Sequence, residues 1–445
     1  MNTTTLNLTQ SDFDQYQSEI ESFLSELIAV PSVKGKPTPD APFGTDTLRA
    51  LNVFFDHAEN LGFNCHHLDG YCGYVEWGPK DAPIIAAVCH LDVVPAGTWT
   101  RAFTPEKYGN KLYGRGTCDD KGPAVIALYA MKALKDAGYQ PKHRFRLILG
   151  LDEESGSACM VYYRNHAELP IAAFTPDASF PVIAAEKGGL HLKLKIPNET
   201  TTDATGRDAQ ITLRAGTRAN VVPDEALVDI EVDRATEQLQ FTGKSAHAST
   251  PDAGENAVDK AMAELEAIGY SNNAIAFYNA MLGFDLRGQK LGIACSDDRS
   301  GDLTVNVGLA YMTPAAGEFL LDIRYPVTAD HEKLIATVKA ALAPWNGQCE
   351  CPHHSPPLNL PDDHPLVATL SNTYNEVMNA TAKPIGIGGG TYARALPNTV
   401  AFGPVFPGQV VNVHEPDEAV DLDSLLRSGV IYARAFYKLD QVYQD

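Results

Sequence analysis

Three short apolar runs in this chain are each followed at once by histidine or acid. Ile84-Ile85-Ala86-Ala87-Val88-Cys89 leads into His90-Leu91-Asp92. Phe145-Arg146-Leu147-Ile148-Leu149 leads, past Gly150 and Leu151, into Asp152-Glu153-Glu154-Ser155-Gly156. Ile171 to Phe174 leads into Thr175-Pro176-Asp177. A fourth segment, Gly114-Arg115-Gly116-Thr117-Cys118-Asp119-Asp120-Lys121-Gly122, sets Asp119 just ahead of a helical pattern. If the runs are neighbouring parallel strands, their carboxyl ends open onto one crevice. His90, Asp92, Glu153, Glu154 and Asp177 then converge there. Several anions in one partly dry crevice need a counter-charge. Imidazole with carboxylate suits a divalent ion such as zinc, manganese or cobalt.

Each piece alone has an ordinary explanation. A histidine after a strand is usually structural, paired acids are usually solvated, and Gly114-Arg115-Gly116 alone is a turn. The joint pattern of strand ends is harder to dismiss. Competing chemistries fare worse. The run Gly386-Ile387-Gly388-Gly389-Gly390-Thr391 lacks the Lys and Ser/Thr of a P-loop and does not match a dinucleotide fingerprint. No nucleophile elbow with a placed triad is evident. Cys349-Glu350-Cys351-Pro352-His353-His354 has metal-ligand residue types, but a loop ahead of Pro356-Pro357 is the preferred reading.

The elements that must position these residues alternate between strand and helix. Residues 11–30 read as one helix capped by Ser11 and stopped by Pro31. Residues 49–61 read as a second. Pro123 to Ala137 has Pro in its first turn and Gly138 at its end. Helix is also expected over 158–166, 365–378 and 422–437, and strand over 399–402. The alternation argues for a mainly parallel α/β sheet. Near residue 182 the texture changes. Strands over 182–197, 209–213, 226–232 and 318–324, with helices over 256–268 and 331–342, suggest a separate α+β domain. The stretch from Pro352 to Pro365 holds five prolines and is a natural boundary.

Composition excludes other classes. The chain has 445 residues, 44% of them hydrophobic and 20% charged, enough for packed cores. Its formal charge of −21 disfavours nucleic acid and anionic membrane surfaces as partners. There is no run of eighteen apolar residues to span a bilayer. The opening Met1-Asn2-Thr3-Thr4-Thr5 lacks the basic patch and apolar run of a signal peptide, so a cytoplasmic protein is expected. The scattered cysteines fit reduced core thiols better than a disulfide framework.

Taken together, the segments resemble the co-catalytic metallopeptidases that include aminoacylases, glutamate carboxypeptidases and succinyl-diaminopimelate desuccinylases. The likeness is carried by His90-Leu91-Asp92-Val93-Val94-Pro95, by the Gly114–Gly122 segment and by Asp152-Glu153-Glu154-Ser155-Gly156. It is nearest to the dipeptidase V (PepV) branch. Three features point there: Thr175-Pro176-Asp177-Ala178-Ser179-Phe180-Pro181; the stretch Phe241 to Pro251 around His247; and Gly388-Gly389-Gly390-Thr391-Tyr392-Ala393-Arg394 together with Val413-His414-Glu415-Pro416-Asp417-Glu418.

The resemblance implies a zinc-peptidase-like catalytic domain with a mainly parallel mixed sheet, residues 1–182 and 360–445. An α+β lid that binds substrate, residues 183–359, is inserted in it. The lid carries extra sequence around 270–300, which the likeness suggests replaces a dimer partner, so a monomer is expected. Two divalent ions per chain are implied, zinc first, with manganese or cobalt as alternatives. Asp119 would bridge them, His90 and Asp177 completing one and Glu154 and His414 the other. Asp92 would orient His90, and a cis peptide is implied at Asp119–Asp120. Glu153 would be the general base for a hydroxide shared by the ions. His247 would stabilise the oxyanion. Arg324, Asn220 and the backbone of Gly389, Gly390 and Thr391 would hold the substrate. The implied activity is hydrolysis of short unblocked peptides, β-alanyl dipeptides among them. The alternatives are an N-acyl amino acid deacylase or desuccinylase, and a silent metal-binding protein.

Overall fold

In the computed structural model, which describes residues 6–443, the chain divides into two compact units. The first comprises residues up to Ala184, Leu360–Ile385 and residues from Gly390 onward; the second comprises Ala185–Asn359 and Gly386–Gly389. The Met1–Thr5 stretch read above for leader features lies outside the described residues.

The sheet of the first unit runs in the order Asn64–Leu68, Cys72–Trp77, Arg144–Gly150, Ile84–His90, Ala172–Thr175, Thr399–Phe402, Val182–Glu186. Ile84–His90 is parallel to both Arg144–Gly150 and Ala172–Thr175, and Thr399–Phe402 is parallel to Ala172–Thr175. Cys72–Trp77 and Val182–Glu186 run antiparallel to their neighbours, so the sheet is mixed. Ile84–His90 and Arg144–Gly150 are buried at every position, as strands covered on both faces must be. That is why their sequences are continuous apolar runs rather than alternations.

Helices Lys121–Asp136 and Leu422–Val442 pack on each other and on Ile84–His90. Lys121–Asp136 ends as its sequence requires. Gly138 adopts φ +74°, its N–H bonds to Lys135 O, and the Tyr139 N–H bonds to Leu134 O. This paired closure uses the left-handed conformation that glycine adopts without steric cost.

The expected helix over 11–30 is two helices, Gln10–Asp14 and Gln17–Ile28. Its cap is Thr9 rather than Ser11: the Thr9 N–H donates to Asp12 Oδ2 at 2.7 Å. The break falls at Tyr16, whose hydroxyl donates to Asp136 Oδ2 at 2.7 Å on a neighbouring helix. Apolar spacing runs unbroken through that point and could not reveal it.

The second unit is built on a seven-stranded antiparallel sheet. Its order is Ala235–Thr242, Glu225–Val232, Ala209–Ala215, Thr304–Met312, Ala316–Tyr325, Gly188–Pro197, Gln348–Ser355. Here the pattern does alternate. Leu190, Leu192, Leu194 and Ile196 are buried while Lys193 and Lys195 are exposed. Helices Ala257–Ala267, Asn273–Met281 and His331–Leu342 pack on the sheet. The segment Cys349 to His354, expected as loop, lies within the edge strand Gln348–Ser355. Pro352 is tolerated because an edge strand can lack a ladder donor, and the register slips opposite it between His191 and Lys193.

Candidate metal centre

The central parallel strands deliver their following residues to one place. His90 is the last residue of its strand, and Asp177 follows Ala172–Thr175. His90 Nε2 lies 2.9 Å from Asp119 Oδ1 and 3.9 Å from Asp177 Oδ2. His414 Nε2 lies 2.8 Å from Asp119 Oδ2 and 3.1 Å from Glu154 Oε2. Two sets of residues that could hold a metal ion result, His90–Asp119–Asp177 and Asp119–Glu154–His414, and in each the candidate ligand atoms lie within 4.8 Å of one another. Asp119 belongs to both, one oxygen facing each histidine.

The ring of His90 is oriented from behind. Its Nδ1 lies 2.9 Å from the Asp92 backbone oxygen and 3.5 Å from Asp92 Oδ1. A proton on Nδ1 would leave Nε2 free to ligate a metal. The Asp92 carboxylate has a further task. Its oxygens accept the N–H of Glu153 at 3.0 Å and of Glu154 at 3.1 Å. One side chain thus tethers the turn that presents both glutamates. The Asp119–Asp120 peptide bond is cis. The His90 N–H donates to Asp120 Oδ2 at 3.1 Å, and Asp120 is wholly buried.

The electrostatics suit cations. Burial alone would push His90 down, but hydrogen bonds to Asp119 and Asp92 hold it well above the usual imidazole range. Burial likewise opposes protonation of His414, yet Asp119 and Glu154 raise it to about 10. Burial, followed by the charge of Asp119, drives Asp177 well up. Carboxylates and imidazoles this close together call for positive charge. Divalent ions supply that charge without neutralising the ligands. The donor set, imidazole and carboxylate with no thiolate, fits zinc, manganese or cobalt. Glu153 is in neither ligand set. Burial and the adjacent Glu154, Asp119 and Asp92 carboxylates push it up to about 8, with His90 opposing.

The remaining candidates fall as follows. Thr391 caps the short turn Tyr392–Arg394 through Oγ1, and beside it Gly390 packs on Arg394, both in the first unit. Gly389, His247, Asn220 and Arg324 belong to the second. There His247 is exposed, with Nδ1 2.7 Å from Ser249 Oγ. The Asn220 backbone oxygen accepts the Ala248 N–H at 2.9 Å, and Thr304, whose hydroxyl reaches Ala248 O at 3.4 Å, sits opposite Arg324 in register. Asn220, His247 and Arg324 therefore gather at one end of that sheet. Arg324 gives two donors to Asp322, at 2.6 and 2.9 Å.

Sequence reasoning missed the residues behind the ligands. Glu418 and Arg115 form a buried pair beneath the Asp119 turn. Tyr392 lies edge-on to His90, ring centres 6.0 Å apart, with its hydroxyl 3.0 Å from Cys159 Sγ. A Cβ on Gly150 would stand 2.2 Å from the Tyr392 hydroxyl, so glycine is needed there. Glu418, Arg115 and Tyr392 stand inside the motifs quoted above. Only the fold shows that their side chains turn inward.

The fold, with a histidine and carboxylate cluster able to hold metal, is that of a metallopeptidase. The family described as "Peptidase family M20/M25/M40" matches residues 86–438, and the chain belongs to it. It is 38% identical to a Bacillus subtilis protein named "Putative dipeptidase YtjP", covering 93% of this chain and 96% of that one. A Staphylococcus aureus protein named "Putative dipeptidase SAUSA300_1697" is 33% identical, covering 96% of this chain and 98% of that one. Among solved structures the fold is similar to human carnosine dipeptidase 1, with TM-score 0.59 and 13% identity over 97% of this chain and 98% of that one. It is also similar to aminoacylhistidine dipeptidase from Vibrio alginolyticus, with TM-score 0.60 and 15% identity over 96% of each chain. The chain is thus a metal-dependent peptidase of this family.

Proposed function

We propose that the protein is a dipeptidase that hydrolyses short peptides with a free amino end, β-alanyl dipeptides among them. The observation that carries the reading is Asp119, shared by two ligand sets beside a glutamate that joins neither. The "Putative dipeptidase" names of relatives matched over nearly their whole length support it. His90, Asp119 and Asp177 would hold one divalent ion, and Asp119, Glu154 and His414 the other. When bound, such a pair polarises a peptide carbonyl and acidifies water. Glu153 accepts the proton released by the attacking water and returns it to the departing amine nitrogen.

The second unit is assigned the role of holding the substrate. His247, oriented by Ser249, supplies a donor to the oxyanion. Asn220, Arg324 and the backbone of Gly389, Gly390 and Thr391 engage the peptide's ends, a guanidinium being the natural partner of a terminal carboxylate. We assign zinc as the resident ion, a monomeric state and a cytoplasmic location. All eight cysteines are free, which fits a reducing compartment. No helix among the described residues is long and apolar enough to cross a membrane.

The test is to strip the protein with chelator, refill it with Zn, Mn or Co, and assay unblocked dipeptides against N-acyl amino acids. Metal-restored cleavage of the dipeptides is expected. Cleavage confined to N-acyl substrates would make it a deacylase, and no cleavage of either would make it a binding protein.

A further inference from the structure

We propose that Glu418 is the positioning residue that sets the shared ligand Asp119, and that metal affinity at both halves of the centre depends on it. The inference rests on reading the cluster as a two-ion centre. Glu418 lies four residues beyond His414 and is wholly buried. Its Oε1 accepts the N–H of Gly116 at 3.0 Å, of Cys118 at 2.9 Å and of Asp119 at 3.3 Å. Its Oε2 accepts from Arg115 Nη1 at 2.8 Å. Backbone joins in, with the Gly114 N–H donating to Glu418 O at 3.0 Å. The Cys118 thiol reaches Ala419 O at 3.1 Å. The turn that ends in Asp119 is therefore gripped by two residues some 300 positions away in sequence.

A buried carboxylate–guanidinium pair is weak ground for stability, because desolvation offsets its attraction, and an apolar pair fills the same space as well. An apolar pair cannot gather three amide N–H groups onto one atom. That fan fixes the backbone from which the Asp119 side chain departs. It also ties the Asp119 turn to the segment that carries His414, so one side chain references two of the three residues in the second set. Glu418 has no exposed surface with which to touch substrate. It acts through Asp119.

The experiment titrates metal-free wild type and Glu418→Gln with Zn(II) against a chromophoric chelator, with far-UV circular dichroism as the check on fold. Glutamine keeps the volume but has a single acceptor oxygen, so its NH2 must face either Arg115 Nη1 or the three amide N–H groups, donor against donor, and the fan and the Arg115 contact cannot both survive. A folded variant whose affinity falls about ten- to hundred-fold for both equivalents is expected, the range seen when groups supporting a ligand are removed. Wild-type affinity in a folded Glu418→Gln overturns the inference. So does a loss confined to one equivalent, since Asp119 serves both. Should Glu418→Gln fail to fold, Glu418→Asp keeps the charge but is one methylene short of spanning Arg115 and the amide fan. Weakened uptake supports the inference and unchanged uptake overturns it. A wild-type protein that takes up no zinc overturns the two-ion reading itself. Wild type that binds zinc but cleaves no dipeptide sinks only the assigned activity.

Discussion

Asp92 holds the backbone of Glu153: its Oδ1 accepts the Glu153 N–H at 3.0 Å. The side chain expected to orient a histidine thus also aims the candidate base. Asp92→Asn keeps the volume but cannot accept at both oxygens, and Oδ2 serves the Glu154 N–H. We expect kcat on a dipeptide to fall about 10–100-fold, the cost typical of support groups, with KM little changed. Steady-state kinetics check this, and a wild-type kcat would show that Glu153 needs no such tether.

Glu153 lies in neither ligand set, so its removal should separate chemistry from metal binding. Glu153→Gln is expected to lower kcat by about 100–10,000-fold, the range of general-base losses. Elemental analysis should find metal content unchanged. Retained turnover would refute the assigned base.

Stoichiometry follows from the shared aspartate. Asp177→Ala leaves the Asp119–Glu154–His414 set whole and should retain one ion. Asp119→Ala damages both sets and should retain neither. Metal bound only by the folded state stabilises it by about 2.7 kcal/mol at a hundred times Kd, so chelation should lower Tm. Calorimetry with and without chelator measures it, and equal metal content in the two variants would break the scheme.

His247→Ala tests the second unit. If its imidazole meets the oxyanion, kcat should fall about 100–1000-fold, as for other oxyanion donors. The exposed position predicts an unchanged Tm. A loss of Tm with kcat intact would mark His247 as a structural residue of its loop.

Asp322 gives a pH prediction away from the metal cluster. Burial raises its pKa, but hydrogen bonds from His191 and Arg324 win and leave it depressed. Stability from a depressed carboxyl is present above its unfolded value, near 3.9, and is lost as pH falls through the folded value. Arg324→Met removes part of the cause while leaving Asp322 buried. It should cost about 3 kcal/mol, in the range for breaking a buried pair, and move acid unfolding to higher pH. Acid titration by circular dichroism reads the midpoint, and an unmoved midpoint would assign the depression to His191 alone.

What was legible in the sequence was what periodicity and strand ends encode. The buried runs at 84–89 and 145–149 became central parallel strands, and helices were found at Ala158–His166, His331–Leu342 and Pro365–Met378 as expected. The strand Ala235–Thr242 was missed because it is exposed along most of its length and has no apolar alternation to show. Helix Asn273–Met281 was missed because it is apolar nearly all round, which hides a helical period. Glu418 escaped because a carboxylate among other acids reads as solvated. Its inward turn depends on Arg115, 303 residues earlier.

The first unit is assembled from stretches on either side of the second. A growing polypeptide therefore leaves the ribosome with His90, Asp119, Glu153 and Asp177 already made, but without the strand Thr399–Phe402 that completes their sheet or the loop that brings His414. Until residues beyond 418 have emerged, Glu418 cannot seat the Asp119 turn. If His414 and Glu418 serve the centre as proposed, hydrolytic competence is postponed by the order of translation, and a nascent fragment halted within the second unit would be inert toward the peptides around it.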